Sequence, residues 1–257
     1  MQMLSLDSQS NRLSSQIRAI FNSVWTRLLV LPLIILSLLV ATATTAYSQA
    51  AMLTPREVVE YALTLEKLEA EFYRQAFVAM DGGGLASLPE PAKQAIRSYG
   101  EDEALHVPDL AIILKSLGGN PDSITITSNP NFNAVIGRDP FANPKDFLLA
   151  LQNVEDTGVA AYKGQVQNLL AAGPAFKAVL AGALEIHTIE ARHAAGVRAI
   201  RQIFYNVNVR PWIRSQKEVP FRKSSKNSVI PFGNEAFDAS ATKEQVLAIV
   251  GPILAGK

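Results

Sequence analysis

The sequence predicts an all-α protein: a four-helix bundle with one long crossover between the second and third helices, followed by an irregular C-terminal tail. Three observations support this prediction. Apolar residues recur at helical spacing over four long segments between residues 54 and 205. The links between these segments are short, long and short in order. Short links join antiparallel neighbours, so the first helix should pair with the second and the third with the fourth.

The first fifty residues predict an export signal. Three arginines precede an uncharged run from Leu28 to Ala46. Ser48 and Ala50 then provide small residues at the two positions that a signal peptidase reads, so we expect cleavage after Ala50 and an exported protein, periplasmic, lumenal or extracellular, with no stable membrane embedding. The alternative is a membrane-tethered protein held by residues 28–46. The strongly apolar centre of that run, residues 28–40, is shorter than the roughly 20 residues that span a bilayer.

The first two bundle helices have clear sequence boundaries. Thr54-Pro55-Arg56-Glu57 has the pattern of a capping box with proline at the first helical position, and the helix should end at Asp81–Gly84. The second helix is predicted from about Pro91 to Leu117. Pro108 lies within it and predicts a kink, because proline cannot donate to the carbonyl of Ala104.

The second pair of helices follows a predicted crossover from Asn120 to Asn143. The third helix should begin at Asn143-Pro144 and end near Gly173. Pro174 should then begin the fourth helix, which continues to about Tyr205. Residues 51–205 are therefore predicted to form the bundle domain.

The tail, residues 206–257, differs in composition. Prolines interrupt it, and the basic, serine-rich stretch Arg214–Ser228 predicts an extended surface segment. One short helix is predicted near Thr242–Val250. We expect the tail to lie on the bundle or on a neighbour in an oligomer.

Composition restricts the chemistry. The chain has 257 residues, 24 Lys and Arg against 23 Asp and Glu, and no cysteine. The nearly neutral charge gives no electrostatic signature of nucleic-acid binding. Thiol catalysis, disulfides, zinc–thiolate sites and iron–sulfur clusters are excluded. A metal would need oxygen and imidazole ligands, and the three histidines are His106, His187 and His193.

Two of these histidines lie in matching motifs. Glu103-Ala104-Leu105-His106 and Glu190-Ala191-Arg192-His193 are both Glu-x-x-His, which places a carboxylate and an imidazole on one face of a helix. A single buried histidine is more often a hydrogen-bonded core residue than a ligand. Two matched copies on the second and fourth helices favour metal binding.

The other two helices each provide a glutamate on an apolar face, Glu66 and Glu155, where an unpaired charge would be costly. Glu69 is a further candidate on the first helix. An internal repeat favours Glu66, because a shift of 89 residues aligns it with Glu155 but aligns Glu69 with Gly158. The chain thus resembles two similar helical hairpins facing each other across a pseudo-twofold axis.

Together these residues match the ligand pattern of di-iron and di-manganese carboxylate bundles, with one glutamate from each of two helices and Glu-x-x-His from each of the others. Two iron or manganese ions are the expected cofactors, and ligand type does not distinguish them. The predicted metal ligands are Glu66, Glu103, His106, Glu155, Glu190 and His193.

Three further residues are candidates for supporting roles. Tyr73 and Tyr162, each seven residues after a predicted ligand, could act as redox-active phenols or hydrogen-bond to ligand carboxylates; the alternative is core packing with a satisfied hydroxyl. His187 lies one turn before Glu190 and could contact a ligand, or could have a surface or capping role.

At these residues the chain resembles a known family. Leu63–Tyr73 (LTLEKLEAEFY), Glu155–Tyr162 (EDTGVAAY) and the two Glu-x-x-His motifs are similar to the exported ferritin-like domain family that includes plant desiccation-related proteins. The resemblance covers about Leu53 to Tyr205, and Thr242–Pro252 is similar to that family's C-terminal part. It implies a ferritin-like bundle and the metal ligands above more strongly than any one reaction. The absence of cysteine excludes a rubrerythrin proper.

The leading functional hypothesis is a dinuclear metal oxidoreductase that takes dioxygen or peroxide as substrate and protects against oxidative stress. Iron would give ferroxidase or peroxide-consuming chemistry, and manganese would give catalase-like disproportionation. The alternative is a structural or interaction protein of the desiccation-related type, in which metal is only stabilising or absent. The long tail argues against a 24-subunit storage shell, so we expect a monomer or a homodimer.

Overall fold

Five α-helices make up most of the chain described by the computed structural model, which covers residues 52–215, 217–221 and 237–256. No β-strand occurs within those ranges, so the predicted all-α class is confirmed for them. None of these helices has the length and apolarity needed to cross a membrane. The predicted signal or anchor lies outside the described residues. The helices are α1 (Pro55–Gly82), α2 (Glu90–Ser116), α3 (Pro144–Ala171), α4 (Lys177–Tyr205) and α5 (Lys243–Leu254).

Side-chain caps fix the beginnings of three helices. Thr54 and Glu57 form the predicted capping box of α1, and Thr242 forms another with Gln245 at α5. The Asn143 side chain accepts a hydrogen bond from the backbone N–H of Asp146 at α3. Each cap satisfies backbone N–H groups that have no partner within the helix.

Two boundaries differ from the sequence prediction. Helix α4 begins three residues after Pro174, because Pro174–Phe176 form a 3₁₀ turn. Helix α5 continues past Val250 to Leu254 and includes Pro252. Proline removes a single backbone hydrogen bond there, which the last turn of a helix tolerates. Pro108 lies within α2 without ending that helix.

The four long helices pack in the predicted pairs, α1 against α2 and α3 against α4, and the pairs meet through α1–α3 and α2–α4 contacts. The crossover connects the two helix pairs and contacts α1. Lys67 on α1 donates hydrogen bonds to the backbone carbonyls of Pro121 and Ile124 in this crossover. Just after the C-terminal end of α1, Gly84 lies so close to the backbone of Phe141 and Ala142 that any side chain would collide with it.

The core of the bundle consists of two apolar clusters, each with residues from all four long helices. The apolar residues that predicted α1 are indeed buried. Four phenylalanine rings pack against one another in this core, and their contacting pairs have ring centroids 5.0 to 6.2 Å apart. These residues are Phe72, Phe132, Phe141 and Phe147.

A buried ion pair also joins α3 to α4. Arg198 donates to Asp156 at 2.6 Å, and both side chains are 2% exposed. A buried charge without its partner is strongly destabilising, so this pair restricts how α3 and α4 can slide past each other.

The described part of the tail lies on the bundle, which is one of the two placements that the sequence predicted. The backbone N–H of Ala241 donates to the carbonyl of Ala160 on α3 at 2.9 Å, and Asn131 in the crossover donates to the carbonyl of Ile253 at 2.9 Å. Helix α5 therefore packs on α3 and on the crossover together. Much of the Arg214–Ser228 stretch lies outside the described residues.

Candidate metal centre

The six predicted ligand residues meet in the middle of the bundle, and each is at most 9% exposed. Their potential ligand atoms, one from each residue, form two groups, and the atoms within each group lie within 4.8 Å of one another. Glu103 belongs to both groups, so its two oxygens face both. The first group is Glu66, Glu103, His106 and Glu190; the second is Glu103, Glu155 and His193.

Helical spacing brings the first group together. Glu103 and His106 lie one turn apart on α2, and Oε2 of Glu103 is 2.9 Å from Nδ1 of His106. Helix α1 adds Glu66, whose Oε2 is 3.1 Å from the same nitrogen. The imidazole therefore faces carboxylates from two different helices.

The second group centres on His193 of α4. Its Nδ1 lies 2.8 Å from Oε1 of Glu103 and 3.4 Å from Oε2 of Glu155. Its other ring nitrogen, Nε2, lies 3.1 Å from Oδ2 of Asp102. A carboxylate at one imidazole nitrogen fixes the tautomer and turns the other nitrogen towards the cluster.

Sequence reasoning did not identify Asp102. It directly precedes Glu103, but its side chain is 47% exposed and no apolar pattern surrounds it. An aspartate at that position cannot be distinguished from a solvated surface residue until α2 and α4 are brought together. Its role depends on packing between helices rather than on spacing within one.

The two predicted tyrosines hydrogen-bond to glutamates of the cluster, each to the glutamate of the other helix pair. The hydroxyl of Tyr162 on α3 donates to Oε1 of Glu66 on α1 at 2.5 Å. The hydroxyl of Tyr73 on α1 donates to Oε1 of Glu155 on α3. Burial raises the pKa of both phenols well above the ordinary value, so both hydroxyls keep their protons.

Comparison with known protein families identifies the domain that contains this cluster. A family model described as a ferritin-like domain matches residues 54–202, which is more than half of the chain and includes all six clustered residues. The chain belongs to the ferritin-like domain family. A comparison with curated proteins found no match, and neither did a comparison with solved structures. The ferritin-like part of the predicted resemblance is confirmed, whereas its exported and desiccation-related part stays a prediction.

The donor atoms of this ferritin-like domain fit a metal centre. Several buried atoms have no hydrogen-bond partner among the described residues, and a lone buried acceptor is costly. Although Oε1 of Glu103 and Nδ1 of His193 are 2.8 Å apart, the two atoms are not aligned as a hydrogen bond. Carboxylate oxygens and imidazole nitrogens are ligands that suit iron or manganese. The unpartnered cluster atoms are Glu103 Oε1, Glu155 Oε2, both oxygens of Glu190 and His193 Nδ1.

Several groups of the ferritin-like cluster have raised pKa values and therefore hold protons at neutral pH when no metal is bound. Burial raises the pKa of Glu66 to about 8 and that of Glu190 well above the ordinary value. Burial also acts on Glu103, but contacts with His106 and His193 outweigh it and lower the pKa of Glu103 to about 2. Those same contacts raise the pKa of both histidines to about 10, against the effect of burial. Metal ions would have to displace these protons.

Two further titratable residues considered in the sequence, Glu69 and His187, lie outside the two donor groups. Glu69, which the internal repeat disfavoured, is outside both groups but is 7% exposed and adjacent to them. Burial raises its pKa well above the ordinary value, and the charges of Glu66 and Glu103 add to this effect. His187 faces Lys163, Asp238 and the backbone of Val159, and burial lowers its pKa. These contacts lie on the side of the C-terminal tail, which favours the alternative of a role outside the cluster.

Proposed function

We propose that this ferritin-like protein is an exported dinuclear metal oxidoreductase that consumes peroxide or dioxygen. The observation that carries the proposal is the pair of buried donor groups that share Glu103. A shared carboxylate between two groups is the arrangement expected of two cations held side by side, about 3.5–4 Å apart in two-metal sites. Glu66, His106 and Glu190 would complete one coordination sphere, and Glu155 with His193 the other.

Two bound iron or manganese ions would supply redox chemistry towards peroxide or dioxygen. The chain's own side chains supply position and environment. Four carboxylates with two neutral imidazoles balance the charge of two divalent cations. The hydroxyls of Tyr73 and Tyr162 hold one oxygen each of Glu155 and Glu66, which leaves the second oxygen to face the cluster.

The apolar surroundings also contribute. The cluster residues are at most 9% exposed, so bulk water is kept from the centre and the field of each charge is stronger than it would be in water. The predicted export signal and the sequence resemblance to desiccation-related proteins are the basis for including protection from oxidative stress in the proposal.

Metal analysis and a peroxide assay test the proposal. We expect about two iron or manganese ions per purified chain and a measurable rate of peroxide loss. Glu155→Ala should reduce the metal content to one ion or fewer and abolish that rate. Glu185→Ala is the matched control, because Glu185 is exposed and lies on α4 outside the cluster.

The alternative, a structural or interaction protein, predicts the opposite outcomes. The purified protein would then hold one metal ion or none, and chelation would leave its thermal stability unchanged. Solution mass tests iron storage separately. A mass near that of a monomer or dimer would exclude storage, whereas a shell of many subunits would support it and contradict the proposal.

A further inference from the structure

A seventh buried carboxylate lies beside the candidate metal centre and outside both donor groups. Glu69 follows Glu66 by one turn of α1 and is 7% exposed. Its Oε2 has no hydrogen-bond partner among the described residues. A buried carboxyl oxygen without a partner is destabilising by several times the net free energy of an ordinary hydrogen bond. The proposed metal ligands do not account for this atom.

Glu69 also lines a cavity of about 280 Å³. Among the described residues around this cavity, Glu69 is the only one with a charged side chain, and most of the others are apolar. Its size lies just below the usual range for ligand pockets, about 300–1,000 Å³. The lining residues come from α1, α3, the crossover and the tail, and include Leu65, Leu68, Val154, Ile249, Val250 and Ile253.

The C-terminal tail forms one wall of this cavity. Ile249, Val250 and Ile253 all belong to α5, which the backbone hydrogen bond between Asn131 and Ile253 holds against the crossover. Residues of α5 thus enclose a space that the four-helix bundle alone would leave open on that side.

Gly158 connects the cavity with the metal centre. It lines the cavity, and a Cβ atom at this position would lie 2.7 Å from Cδ of Glu190 and 3.2 Å from Oε1 of Glu69. Both carboxylates therefore approach the space left by the missing side chain. A molecule in the cavity would contact Glu69 and Gly158, and Gly158 in turn lies against Glu190.

We propose that this cavity binds a small, mostly apolar molecule that carries one hydroxyl group, with the hydroxyl at Glu69. Apolar walls favour an apolar body by about 25 cal/mol per Å² of surface removed from water. A hydroxyl can donate to a carboxylate and can accept from a carboxylic acid, so it complements Glu69 in either protonation state. Binding does not require the metal centre; a catalytic role for the bound molecule rests on the proposed function.

Binding of 2-naphthol and naphthalene to the metal-free protein, measured by fluorescence titration, tests this site. The two probes have the same ring system and differ by one hydroxyl. We expect 2-naphthol to bind about tenfold more tightly than naphthalene, the ratio that one hydrogen bond of ordinary strength gives. Glu69→Leu should bring the ratio close to one, whereas Glu71→Leu, on the outer face of the same helix, should preserve it. An unchanged ratio in Glu69→Leu would overturn the assignment of Glu69 as the hydroxyl partner.

Two variants locate the bound probe. Val154→Phe should fill the cavity and weaken the binding of both probes at least tenfold, whereas Val78→Phe on the exposed face of α1 should not. Ile249→Trp, at the partly exposed edge of the cavity, is a second blocking variant if Val154→Phe does not fold. Undiminished binding in a folded blocking variant, or no binding to the unmodified protein, would overturn the proposal. Because no metal is present, these outcomes are independent of the metal-content and peroxide tests.

Discussion

Tyr162 on α3 donates a hydrogen bond from its hydroxyl to Oε1 of Glu66 on α1, and the pair joins the two halves of the bundle at the candidate metal centre. Tyr73 and Glu155 form the reciprocal pair. In each hairpin the tyrosine follows its own glutamate by seven residues, yet it bonds to the glutamate of the other hairpin. The internal repeat in the sequence therefore corresponds to two reciprocal hydrogen bonds in the fold.

Removing these hydroxyls should show whether the tyrosines hold the ligand carboxylates by hydrogen bonds or act as redox-active phenols. Tyr162→Phe and Tyr73→Phe each remove one donor to a ligand carboxylate, so we expect metal affinity to fall about tenfold. Metal retention during dialysis against a chelator measures this effect. Tyr61→Phe is the control, because its buried hydroxyl has no hydrogen-bond partner among the described residues. Normal metal retention with a large loss of peroxide consumption would indicate a redox role instead.

Asp102 should matter for metal affinity although it is half exposed. Its carboxylate lies 3.1 Å from Nε2 of His193 and orients that imidazole. We expect Asp102→Ala to weaken metal binding by about 10- to 100-fold, the usual effect of losing such a partner. Asp109→Ala, also on α2 and exposed, is the matched control. Equal metal affinities in the two variants would contradict the orienting role.

Gly158→Ala should reduce metal affinity while leaving the helical fold largely intact. The added methyl group would collide with the carboxylate of Glu190, which cannot move aside while it holds a metal ion. We expect at least a tenfold loss of metal affinity with little change in helix content. Gly251→Ala on α5, where nothing lies within 4 Å of the added atom, should raise stability by about 0.5–1 kcal/mol. The hypothesis fails if Gly158→Ala binds metal like the unmodified protein.

The metal-free protein should lose thermal stability as the pH rises from 5 to 9. The pKa of Glu66 is raised to about 8 and that of His106 to about 10, so the folded state binds more protons than the unfolded state in this range. Each contributes stability at low pH that is lost as the pH passes its folded pKa. We expect the melting temperature to fall by about 5–10 °C.

Two comparisons test the origin of this pH dependence. Glu66→Gln should reduce the slope of melting temperature against pH, because it removes one of the groups whose pKa is raised. Metal loading should reverse the slope, since metal ions compete with protons for the same atoms. A melting temperature of the metal-free protein that stays constant or rises with pH would contradict the raised pKa values of Glu66 and His106.

The sequence predicted those parts of the fold that depend on local patterns. Capping residues such as Thr54 and Asn143 marked helix starts, and the apolar spacing around Glu66 and Glu155 placed both side chains inside the bundle. Apolar spacing did not exclude Glu69 as a further inward-facing residue, but the internal repeat disfavoured it. The repeat aligned it with Gly158, and only the packed structure shows that this glycine provides the space which Glu69 and Glu190 both approach.

Contacts between distant parts of the chain were also beyond prediction. Asp102 meets His193 across 91 residues. The placement of α5 depends on backbone hydrogen bonds to α3 and the crossover, which have no residue-specific signal in the sequence. Local periodicity therefore defined the helices and their inward faces, whereas the supporting contacts depend on tertiary packing.

The reciprocal tyrosine–glutamate pairs imply that neither helical hairpin could form its half of the site by itself. A fragment ending in the crossover would retain Glu66, Glu103 and His106, but it would lack the phenol that restrains Glu66 and every α4 ligand. The complementary fragment would have Tyr162 without the Glu66 carboxylate that accepts its hydrogen bond. Separated at the crossover, neither fragment could assemble a comparable centre without the complementary hairpin.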